Sequence, residues 1–238
     1  MLKVLAMIPA RIGSTRLKMK NLALINKKPM ISYAIKAALE SKVFDRVIIN
    51  SDSNIFSKVA DKYGGEFYLR PDHLGSSETK SDDVIYDFIK SHPEADIVVW
   101  VNPIAPFQSA KEVANIIKFF IDNNLDSLIT TELKQVHCDF NGKPINYSRD
   151  ELFAQTQDLK PIEAYSYTIM MWRVPSFIED YQTKGYGLFC GNFGTYPVSK
   201  NSGVIIKTSE DLNFANNLMK SLNSKSPDVE YDDIINEI

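Results

Sequence analysis

Hydrophobic residues alternate between two patterns as far as residue 132 of this chain. Short continuous apolar runs are typical of strands buried on both faces of a sheet, and they lie at 2–8, 46–50, 66–69, 97–101 and 127–131. Between these runs, apolar residues return every three or four positions, as on the buried face of a helix, at 29–39, 55–63, 82–91 and 111–122. This alternation predicts a mostly parallel sheet covered by helices on both faces, which is a three-layer α/β/α, Rossmann-like fold.

The alternation ends after residue 132. The turn dipeptide Asn141-Gly142 lies between short mixed segments there. Further short elements are predicted downstream, with strands at 165–172, 196–198 and 204–206 and a helical turn at 177–181. A final helix is predicted to begin near Asp211, after Thr208. We therefore predict one domain over residues 1–238, in which residues 132–175 form an inserted lobe, and a solvated acidic tail at 228–237.

The composition excludes several classes of protein. The 238 residues are 44% hydrophobic and 24% charged, which is typical of a folded globular chain. No apolar run reaches the length of about 18 residues that a membrane helix requires. Only two cysteines occur, Cys138 and Cys190, and neither belongs to a metal-binding or disulfide pattern. We expect a cytoplasmic protein with reduced thiols and no membrane partner.

The net charge of −3 conceals a strong asymmetry. Residues 11–28 contain six basic and no acidic side chains, whereas the remainder has 21 basic and 30 acidic residues. A single basic segment on an acidic protein argues against a nucleic-acid partner, which would need basic residues spread over one face. The segment is either a local anion site or an ordinary solvated loop.

The basic segment follows the first predicted strand, where ligands bind in open α/β sheets. Residues 9–22 lack both the dinucleotide fingerprint and the P-loop pattern, which argues against dehydrogenases and P-loop NTPases. Gly13 and Ser14 nevertheless allow close approach of the backbone, and Arg11 and Lys20 offer charged donors to a polyphosphate.

Four blocks of sequence form a recognisable series along the chain. The first and most specific reads I-P-A-R-I-G-S-T-R-L-K-M-K-N-L over residues 8–22. The others are VIINSD at 47–52, LRPDHL at 69–74 and NPIAPFQ at 102–108. Together the blocks resemble the cytidylyltransferases that make CMP-activated sugar acids, and their order and spacing match the CMP-sialate, CMP-Kdo and CMP-pseudaminate or legionaminate synthetases over residues 3–222. The resemblance implies the nucleotide-diphospho-sugar transferase type of fold, with a dimerisation role for the inserted lobe and a homodimeric protein.

The resemblance implies attack by the anomeric hydroxyl of a 2-keto sugar acid on the α-phosphate of CTP, with release of pyrophosphate. Arg11 would hold the triphosphate and Lys20 the phosphate under attack. The nucleotide site would comprise Ala10, Arg11, Gly13, Ser14, Lys20, Asn21, Ser81 and Asn102. The sugar acid would contact Asn102, Gln157 and Tyr165. Mg²⁺ would assist by neutralising phosphate charge.

Three positions depart from the pattern of the resembled family. Where sialate-type relatives carry a metal-binding Asp-x-Asp pair, this chain has Ile205 and Lys207, and Gln108 replaces an arginine. Another acid such as Asp52 or Asp82 would then bind the metal, or Lys207 would act as a fixed cation at the substrate, or turnover would be lost. Asp52 is equally explained as the N-cap of the next helix. A catalytically impaired nucleotide- or sugar-binding relative, and a nucleotidyltransferase with a different base or acceptor, remain alternatives.

Overall fold

A computed structural model describes residues 2–224, 231 and 232. The predicted acidic tail at 228–237 therefore lies outside the described residues, apart from 231 and 232. A central sheet of seven strands has the order β11-β7-β10-β6-β1-β4-β5. These strands are β1 (Val4–Pro9), β4 (Arg46–Ser51), β5 (Glu66–Leu69), β6 (Ile97–Val101), β7 (Ser127–Lys134), β10 (Ile162–Arg173) and β11 (Phe193–Pro197). Two short hairpins complete the strands, namely β2 (Leu24–Ile25) with β3 (Lys28–Pro29) and β8 (Asp139–Phe140) with β9 (Lys143–Pro144).

The predicted three-layer fold is confirmed. Most neighbouring strands are parallel, and β10 alone within the described sheet runs antiparallel to its neighbours, β6 and β7. The helices are α1 (Ile31–Ser41), α2 (Ile55–Tyr63), α3 (Ser81–Ser91), α4 (Ala110–Asp122), α5 (Val174–Lys184) and α6 (Ser209–Asn223). In the described part of the chain, 3₁₀ turns lie at Lys20–Leu22, Asp72–Gly75 and Thr156–Asp158.

Alternating side chains of β1 divide the core into two layers. Ala6 and Ile8 pack into a buried cluster that includes residues of α1, α2 and α4. Leu5 and Met7 point the other way, into a cluster that includes residues of α3 and α5. Because strand side chains point alternately to opposite faces, a fully apolar strand must be covered on both sides, as the sequence predicted.

The inserted lobe is narrower than residues 132–175. Residues 162–173 form β10, which pairs with both β6 and β7 inside the sheet, so the chain leaves the sheet only between 134 and 162. The predicted strand at 204–206 is also absent, and these residues have no regular structure. Ile206 is buried against Ile25 and Met30, so the apolar character of this segment reflects side-chain packing instead of sheet pairing.

The final helix begins slightly earlier than predicted. Thr208 accepts a hydrogen bond from the amide of Asp211, whose carboxylate accepts one from the amide of Thr208 in return, and the pair forms a capping box. This reciprocal cap fixes the first turn of α6 and the segment before it, which contains Lys207.

Candidate functional site

Two adjoining cavities open at the carboxyl ends of β1, β5 and β6. The smaller has a volume of about 260 Å³ and the larger about 570 Å³. Both are lined by Ser81, Trp100, Asn102 and Ile104, which therefore form the boundary between them. A ligand with two parts could occupy both cavities at once and place its reacting atoms at this boundary. This is the edge where open α/β sheets bind ligands.

The basic segment borders the smaller cavity, and hydrogen bonds fix the chain where it enters the segment. The amide of Ala10 donates to the carbonyl of Asn50 (2.9 Å), and the amide of Ile12 donates to Asp52 Oδ1 (3.0 Å). Arg11 in turn accepts from Asn21 Nδ2 at its carbonyl (3.3 Å). Its guanidinium donates to the carbonyl of Ser76 (3.2 Å). The segment thus has a defined conformation, which favours the anion site over a freely solvated loop.

Most of the predicted nucleotide residues come together, although two do not face the cavity. Arg11, Ser14, Lys20, Asn21, Ser81 and Asn102 all line the smaller cavity. Ala10 is buried and its amide already bonds to Asn50, while Gly13 lies outside the lining. Ala10 and Gly13 therefore shape the loop without contributing side chains to the cavity surface.

The smaller cavity concentrates positive charge. Burial lowers the pKa of Lys20 below its ordinary value, and the neighbouring charges of Arg16, Arg11 and Lys207 lower it further. Burial likewise lowers the pKa of Arg70, whose side chain is only 4% exposed. The protein holds these cations together against both desolvation and mutual repulsion. Such an arrangement favours the binding of an anion with several negative charges.

Arg70 and Trp100 line this cavity, and sequence reasoning missed both of them. The Nε atom of Arg70, the Nε1 atom of Trp100 and the Oδ1 atom of Asn21 are buried without hydrogen-bond partners among the described residues. Buried polar atoms are nearly always paired, so the two donors among these atoms, Arg70 Nε and Trp100 Nε1, leave hydrogen-bonding capacity unused beside the cavity. Arg70 directly follows β5 within the LRPDHL block, and its position at a strand end was the available signal.

Helix α3 begins at the boundary between the two cavities. Its first residue, Ser81, lines both, and the partial positive charge of the helix N-terminus adds to the cationic surroundings. Asp82 and Asp83 are engaged elsewhere. Asp82 accepts from the amides of Gly187 (2.7 Å) and Leu188 (3.1 Å), and Asp83 accepts from the hydroxyl of Tyr181 (2.7 Å). Asp82 therefore anchors a loop, and these contacts do not support its use as a metal ligand.

Asp52 anchors the basic segment instead of facing the smaller cavity. Its Oδ1 accepts from the Ile12 amide and lies 4.0 Å from Arg70 Nη2, and the residue is absent from the cavity lining. It is not a helix cap either, because Asn54 occupies that position before α2. No carboxylate lines the smaller cavity, and no group of three potential metal-binding side chains forms within residues 2–224, 231 and 232. The protein side chains thus do not fit the expected Mg²⁺ site.

The larger cavity has an aromatic wall and a charged rim. Tyr165, Tyr167 and Phe189 contribute rings, and the apolar side chains of Ile129, Met170 and Leu188 continue the wall. Glu132, Lys134 and Lys207 supply charges, and Ile205 lies beside Lys207 in the lining. Of the predicted acceptor residues, Asn102, Tyr165 and Lys207 line this cavity. Gln157 does not, because its 3₁₀ turn lies in the lobe, where its carbonyl accepts from Gln135 Nε2 (2.9 Å).

None of the helices in the described part of the chain is both long and apolar enough to pass through a membrane.

Comparison with known proteins identifies relatives along the whole chain. N-acylneuraminate cytidylyltransferase of Escherichia coli O18:K1:H7 is 32% identical over 118 residues, which are 50% of this chain and 28% of that protein. Post-translational flagellin modification protein B of Campylobacter coli is 27% identical over 240 residues, covering 96% of this chain and all of that protein. The chain thus matches less than a third of the E. coli relative and the full length of the C. coli relative.

A solved structure confirms the fold. CMP:2-keto-3-deoxy-manno-octonic acid synthetase complexed with CTP superposes with a TM-score of 0.70 at 18% identity, covering 92% of this chain and 99% of that one. At this identity the likeness shows the shared fold alone. Residues 5–169 match the sequence profile described as "Cytidylyltransferase", a match that runs from β1 through β9 and includes most of β10. The chain therefore belongs to the cytidylyltransferase family.

Proposed function

We propose that this protein transfers the cytidylyl group of CTP to a hydroxyl of a 2-keto sugar acid and releases pyrophosphate. The observation that carries the proposal is the pair of adjoining cavities, of which the smaller is cationic with unpaired buried donors and the larger is aromatic. Relatives named for acylneuraminate and for 2-keto-3-deoxy-manno-octonic acid support this class of acceptor.

In the proposed reaction, the anomeric hydroxyl oxygen forms a bond to the α-phosphorus. The bond from that phosphorus to the bridging oxygen of the β-phosphate breaks, the hydroxyl proton passes to solvent water, and pyrophosphate leaves. Negative charge grows on the phosphate oxygens, and Arg11, Lys20 and Arg70 border the cavity where it would develop. Asn102 and Ser81, which line both cavities, are placed to orient the two reacting groups.

Lys207 is the proposed partner for the carboxylate of the sugar acid. Lys207 lines the larger cavity, and its charge helps to lower the pKa of Lys20, which lines the smaller cavity. Lys207 therefore lies near the boundary between the two cavities. Mg²⁺ remains an expectation for the reaction. Since no protein carboxylate lines the smaller cavity, we propose that the triphosphate itself would supply most of its ligands.

The remaining proposals concern assembly and location. Large apolar side chains of the lobe are exposed, and Leu152 is 96% exposed. The others are Val136, Phe140, Ile145 and Phe153. Exposed apolar side chains on one lobe support burial against a second copy and thus a homodimer. We also propose a cytoplasmic location, in accord with the two free cysteines, and a role in activating sugars for cell-surface polysaccharides.

The test is release of pyrophosphate from CTP in the presence of Mg²⁺ and a panel of 2-keto sugar acids, with binding of CTP measured separately. Release of pyrophosphate that depends on a 2-keto sugar acid supports the proposal. Release with another nucleotide, or with another class of acceptor, would change the base or the substrate that we assign. Binding of CTP without release for any acceptor would favour the impaired, binding-only relative. The presence of Ile205 and Lys207 in the cavity wall favours that second candidate.

A further inference from the structure

Tyr167 has a left-handed backbone conformation in the middle of β10. Its φ angle is 55°, although it lies within a strand and carries a bulky aromatic side chain. In this region the Cβ atom of an L-residue crowds the backbone, so glycine and asparagine are the usual occupants. A tyrosine there is strained, and strain of this kind persists only where the surrounding contacts impose it.

The contacts that impose this conformation come from the end of β6. Asn102 Nδ2 donates to the carbonyl of Tyr167 (3.0 Å), and the Asn102 amide donates to the carbonyl of Thr168 (3.0 Å). The hydroxyl of Thr168 is in turn paired with that of buried Thr130 (2.9 Å). The register between β10 and β7 shifts across this same segment, between Tyr165 and Met170. The irregularity is therefore a fixed feature that ties Tyr167 to Asn102.

The strained backbone leaves the side chain of Tyr167 in the larger cavity. The residue is 46% exposed and lines the wall beside Tyr165, with the two rings edge to face at 5.9 Å between centroids. Tyr165 continues the aromatic wall toward Phe189, whose ring lies 6.3 Å away. Asn102 lines both cavities, and its side chain donates a hydrogen bond to the backbone carbonyl of Tyr167. This hydrogen bond connects Tyr167 to the boundary between the acceptor cavity and the nucleotide cavity.

We propose that Tyr167 determines acceptor specificity, and this rests on the proposed function. Its ring packs against an apolar face of the acceptor sugar, and its carbonyl holds the Asn102 side chain at the boundary. The left-handed residue places an aromatic ring in the wall of the larger cavity. The role requires the ring itself, since glycine would retain the backbone geometry and the hydrogen bond from Asn102.

The variant Tyr167→Gly removes the aromatic ring and keeps the left-handed backbone, so it tests the role of the ring alone. This change relieves the strain, so we expect the Tm to rise by about 2 °C. Affinity for CTP should stay within about twofold of the wild type, whereas kcat/KM for the acceptor should fall by about tenfold or more, mainly through a higher KM. Tyr167→Phe keeps the ring and should retain acceptor kcat/KM within about threefold, because the packing face is unchanged.

Lys42→Gly provides the matched control. Lys42 is also left-handed, with φ of 58°, at the C-cap of α1 and outside both cavity linings. Its replacement should raise the Tm by a similar amount and leave the kinetics unchanged. The two variants together distinguish relief of strain in general from loss of the ring at Tyr167.

The possible results separate failure of this inference from failure of the proposed function. An active Tyr167→Gly protein with wild-type acceptor KM would overturn the role of the ring and leave the cytidylyltransferase proposal standing. A fall in Tm, or an equal loss of CTP and acceptor affinity, would assign Tyr167 a structural role and also overturn the inference. A wild-type protein that turns over no acceptor would overturn the proposed function first, and the acceptor role of Tyr167 with it.

Discussion

Replacement of Arg70 tests the assignment of the smaller cavity as a polyphosphate site. Its guanidinium is nearly inaccessible to solvent, its Nε atom has no partner among the described residues, and Asp52 Oδ1 lies 4.0 Å from Nη2. At that distance two unit charges attract by about 4 kcal/mol for an effective dielectric constant of about 20. The attraction offsets part of the burial cost, which is several kcal/mol per ion. A bound phosphate would supply the hydrogen-bond acceptor that Arg70 lacks.

The magnitude follows from the contact that would be lost. A hydrogen bond to a charged group contributes about 1.5–3 kcal/mol, so Arg70→Ala should weaken CTP binding by about 10- to 100-fold. Arg70→Lys keeps a positive charge opposite Asp52 but loses the planar guanidinium fork. We therefore expect it to weaken CTP binding by about tenfold while the free energy of unfolding changes by less than about 1 kcal/mol.

Titration calorimetry with CTP, and with CMP for comparison, measures the affinity, and urea denaturation measures the stability. Arg46→Ala is the matched control, since Arg46 pairs with Glu66 and Glu94 on the surface away from both cavities. If Arg70→Lys binds CTP as tightly as Arg46→Ala does, Arg70 only balances the charge of Asp52. The identification of the cavity by its unpaired atoms would then be refuted.

Three further predictions concern the charges around the two cavities. The lowered pKa of Lys20 means that its charge destabilises the folded protein, so Lys20→Met should raise the Tm at neutral pH and weaken CTP binding. The Tm difference should shrink as the pH rises from the lowered pKa toward 10.5, where the unfolded chain deprotonates, and a constant difference would contradict this. Asp52→Asn can still accept the hydrogen bond from the Ile12 amide, so the Mg²⁺ dependence of turnover should stay within about twofold of the wild type. Asp52→Ala leaves that amide unpaired, which costs about 1–3 kcal/mol, and should therefore lower turnover. A large shift in Mg²⁺ dependence in Asp52→Asn would instead indicate a metal ligand. Lys207→Ala should raise the acceptor KM by about 10- to 100-fold, and unchanged turnover, KM and metal dependence would remove Lys207 from the site.

Charge and position in the chain predicted one local segment of the site, whereas Ser81 and Asn102 were predicted only through the resemblance to a known family. Arg11, Lys20 and Asn21 belong to one segment after one strand, so a single window of sequence contained both their charge and their position. Arg70 and Trp100 reach the same cavity from two other strands. Their importance depends on which polar atoms the folded chain leaves unpaired, and no local pattern encodes that property.

The hydrophobic pattern predicted strands reliably where every residue of the strand is buried. It was less reliable where one strand contains both exposed and buried residues. The fully apolar runs of β1 and β6 are strands buried in the sheet, as predicted. In β10, residues 162–167 are exposed or partly exposed except for Ser166, whereas residues 168–172 are buried. The predicted strand at 165–172 therefore covered the buried part and missed residues 162–164, while the predicted lobe at 132–175 included the whole of β10. The left-handed residue Tyr167 lies where these two parts meet, and its carbonyl accepts a hydrogen bond from Asn102, which is distant in sequence.

The lobe has an evolutionary consequence that follows from where its two ends lie. The chain leaves the sheet after Lys134 and returns at Ile162, and these two residues are paired neighbours in the ladder between β7 and β10. Paired residues in an antiparallel ladder lie only about 5 Å apart, a gap that a short turn could close as easily as a long excursion. Lobes of different length and surface could thus be exchanged among relatives without moving a strand of the sheet. Selection could in that way change how copies of the protein associate while the reaction centre at the strand ends stayed the same.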